Sequence, residues 1–137
     1  MNDSVTSGAS DTDQRLEFFK KLQAVTNKIH ATRNLDEIML DLGMDFCDLL
    51  DCDRFTLYAV TAEQDHIVSK VKTGLTSFRD LRLAIGPSSI AGFVAQTRKT
   101  INLADVYDEA ELKRHSPELH FQRGVDQRTG YRTKQML

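Results

Sequence analysis

Apolar side chains recur at two different periods along the chain, and the change of period marks out its elements. Phe18, Leu22, Val25 and Ile29 are spaced four, three and four residues apart, one stripe of a helix that begins near Arg15. Phe19 widens the stripe and Leu16 lies at its edge. A second helix is predicted from Asn34, whose side chain suits an N-cap and is followed three residues later by Glu37, as in a capping box. Leu35, Ile38, Leu42, Phe46 and Leu49 form its apolar face, with Asp36, Asp41, Asp45 and Asp48 mostly off it. Gly43 weakens this helix by roughly 1 kcal/mol and permits close packing.

Beyond Cys52 the period falls to two. Phe55, Leu57 and Ala59 alternate along a strand over 54–60; Ile67 and Val71 share a face of a more polar strand over 66–73; Leu81, Leu83 and Ile85 alternate inward over 80–85. Short links between the three predict an antiparallel meander. Gly86-Pro87-Ser88-Ser89 then breaks the strand and opens a helix whose inner side is Ile90, Phe93, Val94 and Thr97, with Pro in the first turn and Ser at the cap. The spacing predicts a short strand over 100–106, a helical turn over 109–114 that stops before Pro117, a loop over 121–133, and the start of another strand at 135–137. Residues 1–12 have almost no apolar side chains and read as a flexible tail.

With 137 residues, the prior is one domain. The 18 basic and 20 acidic side chains nearly balance, which excludes a strongly basic nucleic-acid binder and an acidic tail protein. No apolar run approaches the roughly 20 residues of a membrane helix, and no secretory signal opens the chain. Cys47 and Cys52 make no disulfide framework. A soluble, cytoplasmic domain is expected. The charge is segregated: 1–50 carries five basic and nine acidic side chains, and 113–134 carries six basic and two acidic. The second segment either lines an anion site or is a solvated loop.

Several pieces, in order, are similar to a GAF domain, a small-molecule sensory module. They are the strand opening Cys52-Asp53-Arg54-Phe55-Thr56-Leu57-Tyr58; the run Leu83-Ala84-Ile85-Gly86-Pro87-Ser88-Ser89-Ile90-Ala91-Gly92-Phe93-Val94-Ala95; Thr100-Ile101-Asn102-Leu103-Ala104-Asp105-Val106-Tyr107; and Thr129-Gly130-Tyr131-Arg132-Thr133-Lys134-Gln135-Met136-Leu137. The resemblance covers roughly residues 16–137, and its specificity lies in the combination. It implies an α+β fold, related to PAS domains, in which N-terminal helices cover one face of a central antiparallel sheet. A helix and loops enclose a pocket on the other face. It also implies that a GAF domain over 13–137 lacks its last strands and C-terminal helix.

On this resemblance the chain is a non-catalytic regulatory domain of a larger bacterial signalling or motor protein, coupling ligand binding and dimerisation to an attached effector. The expected ligand-binding residues are Phe55, Leu57, Ser89, Ile90, Ala91, Gly92, Asn102, Asp105, Tyr107, Thr129 and Arg132. The helix start at Ser88-Ser89-Ile90 offers free N–H groups, and Arg128 and Arg132 add positive charge, which favours a small anion such as a cyclic nucleotide in a mostly apolar pocket. Asp105 would repel that anion unless it bonds a ribose-like hydroxyl or a ring N–H. The stripe Phe18, Leu22, Val25, Ile29 is the expected homodimer interface. Each of these residues also has a purely structural explanation in packing, turn capping or solvation.

Other chemistry is less well supported. Cysteines serve a GAF-like class that reduces free methionine sulfoxide, but there they line the pocket, whereas Cys47 falls within a helix and Cys52 at a strand start; inert thiols fit better. His115, Glu118 and His120 are loosely spaced around Pro117, and no metal is expected. No cysteine follows Cys52, so a bilin attached in that region, as in phytochromes, is rejected. The alternatives that stay open are the methionine sulfoxide reductase type and a ligand-free structural dimerisation domain.

Overall fold

The structure is a computed structural model. It describes the backbone of residues 6–32, 35–73 and 81–137, and the side chains there apart from those at 6–9, 35–38, 40 and 71–73. Its elements, in order, are α1 (Thr6–Ala31), α2 (Leu35–Leu50), β1 (Phe55–Val60), β2 (His66–Thr73), β3 (Arg82–Ala84), α3 (Ile90–Thr97), α4 (Glu109–His115) and α5 (Gly124–Thr129). The class is α+β, with the strands in one antiparallel sheet of order β1-β2-β3. The chain divides into two compact units, Met1–Leu57 with Val71–Gly74 and Tyr58–Lys70 with Leu75–Leu137. That is a finer division than the single body predicted from length, and each unit has an apolar cluster of its own.

In the first unit, Val25, Leu42 and Leu49 are buried, with Ile29 and Phe46 packed around them. Two ion pairs tie α1 to α2, Lys28 Nζ to Asp45 Oδ2 at 2.7 Å and Lys21 Nζ to Asp48 Oδ2 at 3.0 Å. The bond to Asp45 holds the Lys28 ammonium above its usual pKa. Gly43 is buried on α2. Phe46 stacks on Phe55 with ring centroids 4.9 Å apart. Helix α1 begins at Thr6, so residues 6–12 of the expected tail are helical instead. Adding a turn to an existing helix avoids the cost of a new nucleus, and the 3.0 Å Asp11–Arg15 pair spans i to i+4. The cap expected at Asn34 lies outside the described residues.

In the second unit, β2 and β3 pair in the register His66↔Ala84, Ile67↔Leu83, Val68↔Arg82. The predicted alternation holds, since Arg82 and Ala84 are exposed and Leu81, Leu83 and Ile85 are partly buried. The ladder is shorter than 80–85. At one end Ser69 Oγ takes the Leu81 N–H; at the other Gly86 turns away at φ +150° and donates to the Gly92 carbonyl. Ser89 caps α3, its hydroxyl accepting the Gly92 N–H at 3.0 Å. Pro87 lies before this cap rather than in the first turn of the helix.

The core of this unit is Ile90, Ile101, Leu103, Val106, Leu112 and Leu119, with Phe93, Val94, Tyr107, Phe121 and Met136 packed on it. Two expectations are corrected here. The strand over 100–106 is a single antiparallel bridge, Leu103↔Met136. The Ala104 and Asp105 amides that would extend it are taken by the Glu111 carboxylate, at 2.8 and 3.0 Å. The loop over 121–133 contains α5, closed by Gly130 in the left-handed conformation at φ +68°.

Candidate functional site

The loop after Leu103 reverses direction at Asp105, whose Oδ1 accepts the Tyr107 N–H at 3.0 Å. Asp108 then caps α4, accepting from the Ala110 and Glu111 amides. Capping turns Glu111 back under the loop, where it is buried. The fold of 103–111 thus projects Tyr107 over α5 and leaves Asp105 at the rim. Tyr107 donates its hydroxyl proton to Asp126 at 2.8 Å. The guanidinium groups of Arg123 and Arg132 lie 4.7 and 4.6 Å from its ring centroid. Phe121 meets the ring edge-on at 5.4 Å. Arg132 also pairs with Asp105 Oδ2 at 3.1 Å, and Arg123 with Glu109 at 3.6 Å.

Of the eleven expected ligand residues, Asp105, Tyr107 and Arg132 meet directly. Ile90 belongs to the apolar core beneath, and Gln122 Nε2 ties the same loop to α3 by donating to the Ser88 carbonyl at 3.1 Å. Ser89 and Gly92 are spent on the helix cap, and Ala91 is partly buried. Asn102 is exposed, its Oδ1 accepting from Gln135 at 3.4 Å. The Thr129 hydroxyl donates to the Val125 carbonyl within α5. Phe55 and Leu57 belong to the first unit, where Phe55 stacks on Phe46 and Leu57 is exposed. An open groove of about 620 Å³ lies in that unit, lined by Ser10, Asp13, Gln14, Glu17, Phe18, Lys21 and Leu49 and by none of the expected ligand residues.

The stripe expected to face a second chain is divided. Val25 is buried and Ile29 partly buried on α2, whereas Phe18 and Leu22 are 41% and 38% exposed. The α2 face needs an apolar partner, and α1 of the same chain supplies it.

Sequence reasoning missed Asp126, Glu111 and Arg123. Asp126 is 5% exposed and accepts from Tyr107 Oη, Thr133 N and Thr133 Oγ1. No local pattern marks it, because its partners lie seven and nineteen residues away. Among the described residues no group of three metal-ligating side chains forms, and the His120 ring nitrogen Nδ1 sits 3.1 Å from the Glu118 carbonyl. Burial and the hydrogen bond it donates to Cys52 push the Cys47 thiol up to about 11. No described helix is long and apolar enough to cross a membrane. No family model and no curated protein matches the chain.

The carboxylates make stability depend on pH with a definite sign. Two backbone amides hold the Glu111 carboxyl below 4.5, and the Tyr107 amide followed by Arg132 holds Asp105 below 3.8. Because both folded values lie below the unfolded ones, the stabilisation is complete above about pH 5 and is lost as pH falls through the folded values. Urea midpoints should therefore be level from pH 7 to 5 and fall below pH 4.5. Glu111→Gln should flatten that fall; an acid limb of unchanged slope would show that Glu111 is not the group titrating.

Proposed function

We propose that the chain is a regulatory GAF-type domain that binds a small anionic molecule, such as a cyclic nucleotide, and passes binding and dimerisation to an attached effector. The observation that supports this best is the meeting of Asp105, Tyr107 and Arg132, which come from two of the segments similar to GAF domains, on one core with the capped start of α3. Arg132 and Arg123 supply positive charge against an aromatic face, a surface suited to a planar anionic ligand. Asp105 serves as a counter-ion that the ligand displaces from Arg132. The same proposal places the domain in the cytoplasm, without metal, bilin or nucleic acid.

The test is calorimetric titration with a panel of cyclic and linear nucleotides. Asp105→Asn keeps an acceptor for the Tyr107 amide but releases Arg132, and should tighten binding about five- to tenfold. Arg132→Ala should weaken it by about tenfold, the loss of one charge-assisted bond. Equal affinities in both variants and the wild type would place the ligand elsewhere. If no nucleotide binds, the ligand reading falls.

One observation favours a second reading, a ligand-free dimerisation domain: Arg132 is neutralised within its own chain, while α1 carries exposed apolar side chains. Cys47 does not favour the reductase. A pKa of about 11 keeps Cys47 protonated at neutral pH, the reverse of what an attacking thiol requires.

A further inference from the structure

The end of α2 brings two sulfur atoms together. Asp51 takes the left-handed conformation at φ 49°, and the Cys52 N–H returns to the Cys47 carbonyl at 3.0 Å. This is the long hydrogen bond of a Schellman helix end, which sets the side chains of its first and last residues against each other. Here those residues are Cys47 and Cys52, and Cys47 donates its S–H to the Cys52 sulfur. Both thiols are free and half-buried, so a small oxidant can reach them.

The residues around the pair are held in place. Leu49 is buried in the core of this unit, and Phe46 stacks on Phe55 at 4.9 Å, one ring on each side of the 47–52 segment. The backbone already closes between the two cysteines. Forming an S–S bond of about 2.0 Å therefore calls on side-chain rotation rather than movement of the chain.

We propose that Cys47 and Cys52 are a redox modification site, closing to an intramolecular disulfide by exchange with a low-molecular-weight disulfide such as glutathione disulfide. The site is independent of the ligand and dimerisation readings. Cys47 keeps its proton, held by burial and by its bond to Cys52, so Cys52 is the sulfur that attacks. Its thiolate displaces one thiolate from the small disulfide and is left as a mixed disulfide. Cys47 then gives up its proton, attacks the Cys52 sulfur and expels the second thiolate. Two protein thiols are oxidised to one disulfide, the small disulfide is reduced to two thiols, and the two protons end on the released thiols. The bond ties the last turn of α2 to the approach to β1, so the oxidised chain should unfold at higher urea than the reduced one.

The test is equilibration of the full 137-residue chain with glutathione buffers of graded ratio, then acid quenching, alkylation and peptide mass spectrometry. The native chain should form a 47–52 bond in a yield independent of protein concentration. Its equilibrium constant should exceed that in urea by about tenfold, equivalent to about 30 mV. In Cys47→Ser the mixed disulfide on Cys52 should accumulate. In Cys52→Ser the adduct on Cys47 should form about tenfold more slowly. Equal constants in the native and urea-unfolded chain would overturn the proposal, because the fold would then not pair the sulfurs. Glutathione adducts on both wild-type cysteines with no 47–52 bond would overturn it as well. Equal rates in the two single variants would overturn the order of attack.

Discussion

Asp126→Ala is expected to destabilise the second unit by about 3 kcal/mol, read as a lowered urea midpoint. The carboxylate is 5% exposed and accepts three bonds, from Thr133 N and Thr133 Oγ1 at 2.7 Å each and from Tyr107 Oη at 2.8 Å. Alanine leaves those donors without that acceptor in a part-buried site. Each bond to a charged group contributes roughly 1.5–3 kcal/mol, and they do not add fully because they share one acceptor. The loss also frees the segment before Met136, so the Leu103↔Met136 bridge should open with it. Tyr107→Phe removes a single bond and should cost much less. If the two variants had equal midpoints, Asp126 would not be the anchor of this segment.

Gly92→Ala should cost a similar amount, about 3 kcal/mol, for a different reason. A Cβ at this position would overlap the Ala84 carbonyl oxygen and lie 2.8 Å from the Gly86 oxygen and 2.9 Å from Ser89 Oγ. Two of the three obstacles are backbone, so side-chain rotation offers no relief. Overpacking of this kind costs roughly 1–3 kcal/mol, and loss of the Ser89 cap adds about 1 kcal/mol. Gly124→Ala is the control. Nothing lies within 4 Å of its Cβ position, and it opens α5. There alanine should stabilise by about 0.5 kcal/mol through the unfolded chain. Thermal melts in which both substitutions lower Tm equally would mean that helix α3 does not sit against β3 as described.

These two residues also mark the limits of reading the sequence. The β2–β3 alternation and the Ser89 cap of α3 were legible because neighbours within a few residues determine them. Helix α5 was not. Its six residues include one apolar side chain, Val125, and its Asp126 is held by partners distant in sequence. The expected strand over 100–106 failed because Glu111, on the following helix, takes its amides. Asp105, Tyr107 and Arg132 could be nominated from motif position, but their neutralisation by one another could not. The apolar stripe of α1 was visible, whereas its division between α2 and solvent depends on which face α2 occupies.

The central claim, that the Asp105–Tyr107–Arg132 cluster is a site for a small anion, is tested most directly by amide chemical shifts during titration with a cyclic nucleotide. The account predicts that shifts concentrate at Ala104–Tyr107, Thr129–Thr133 and Ser89–Gly92 and weaken in Arg132→Ala. Shifts confined to α1 and α2, or none at saturating nucleotide, would contradict it.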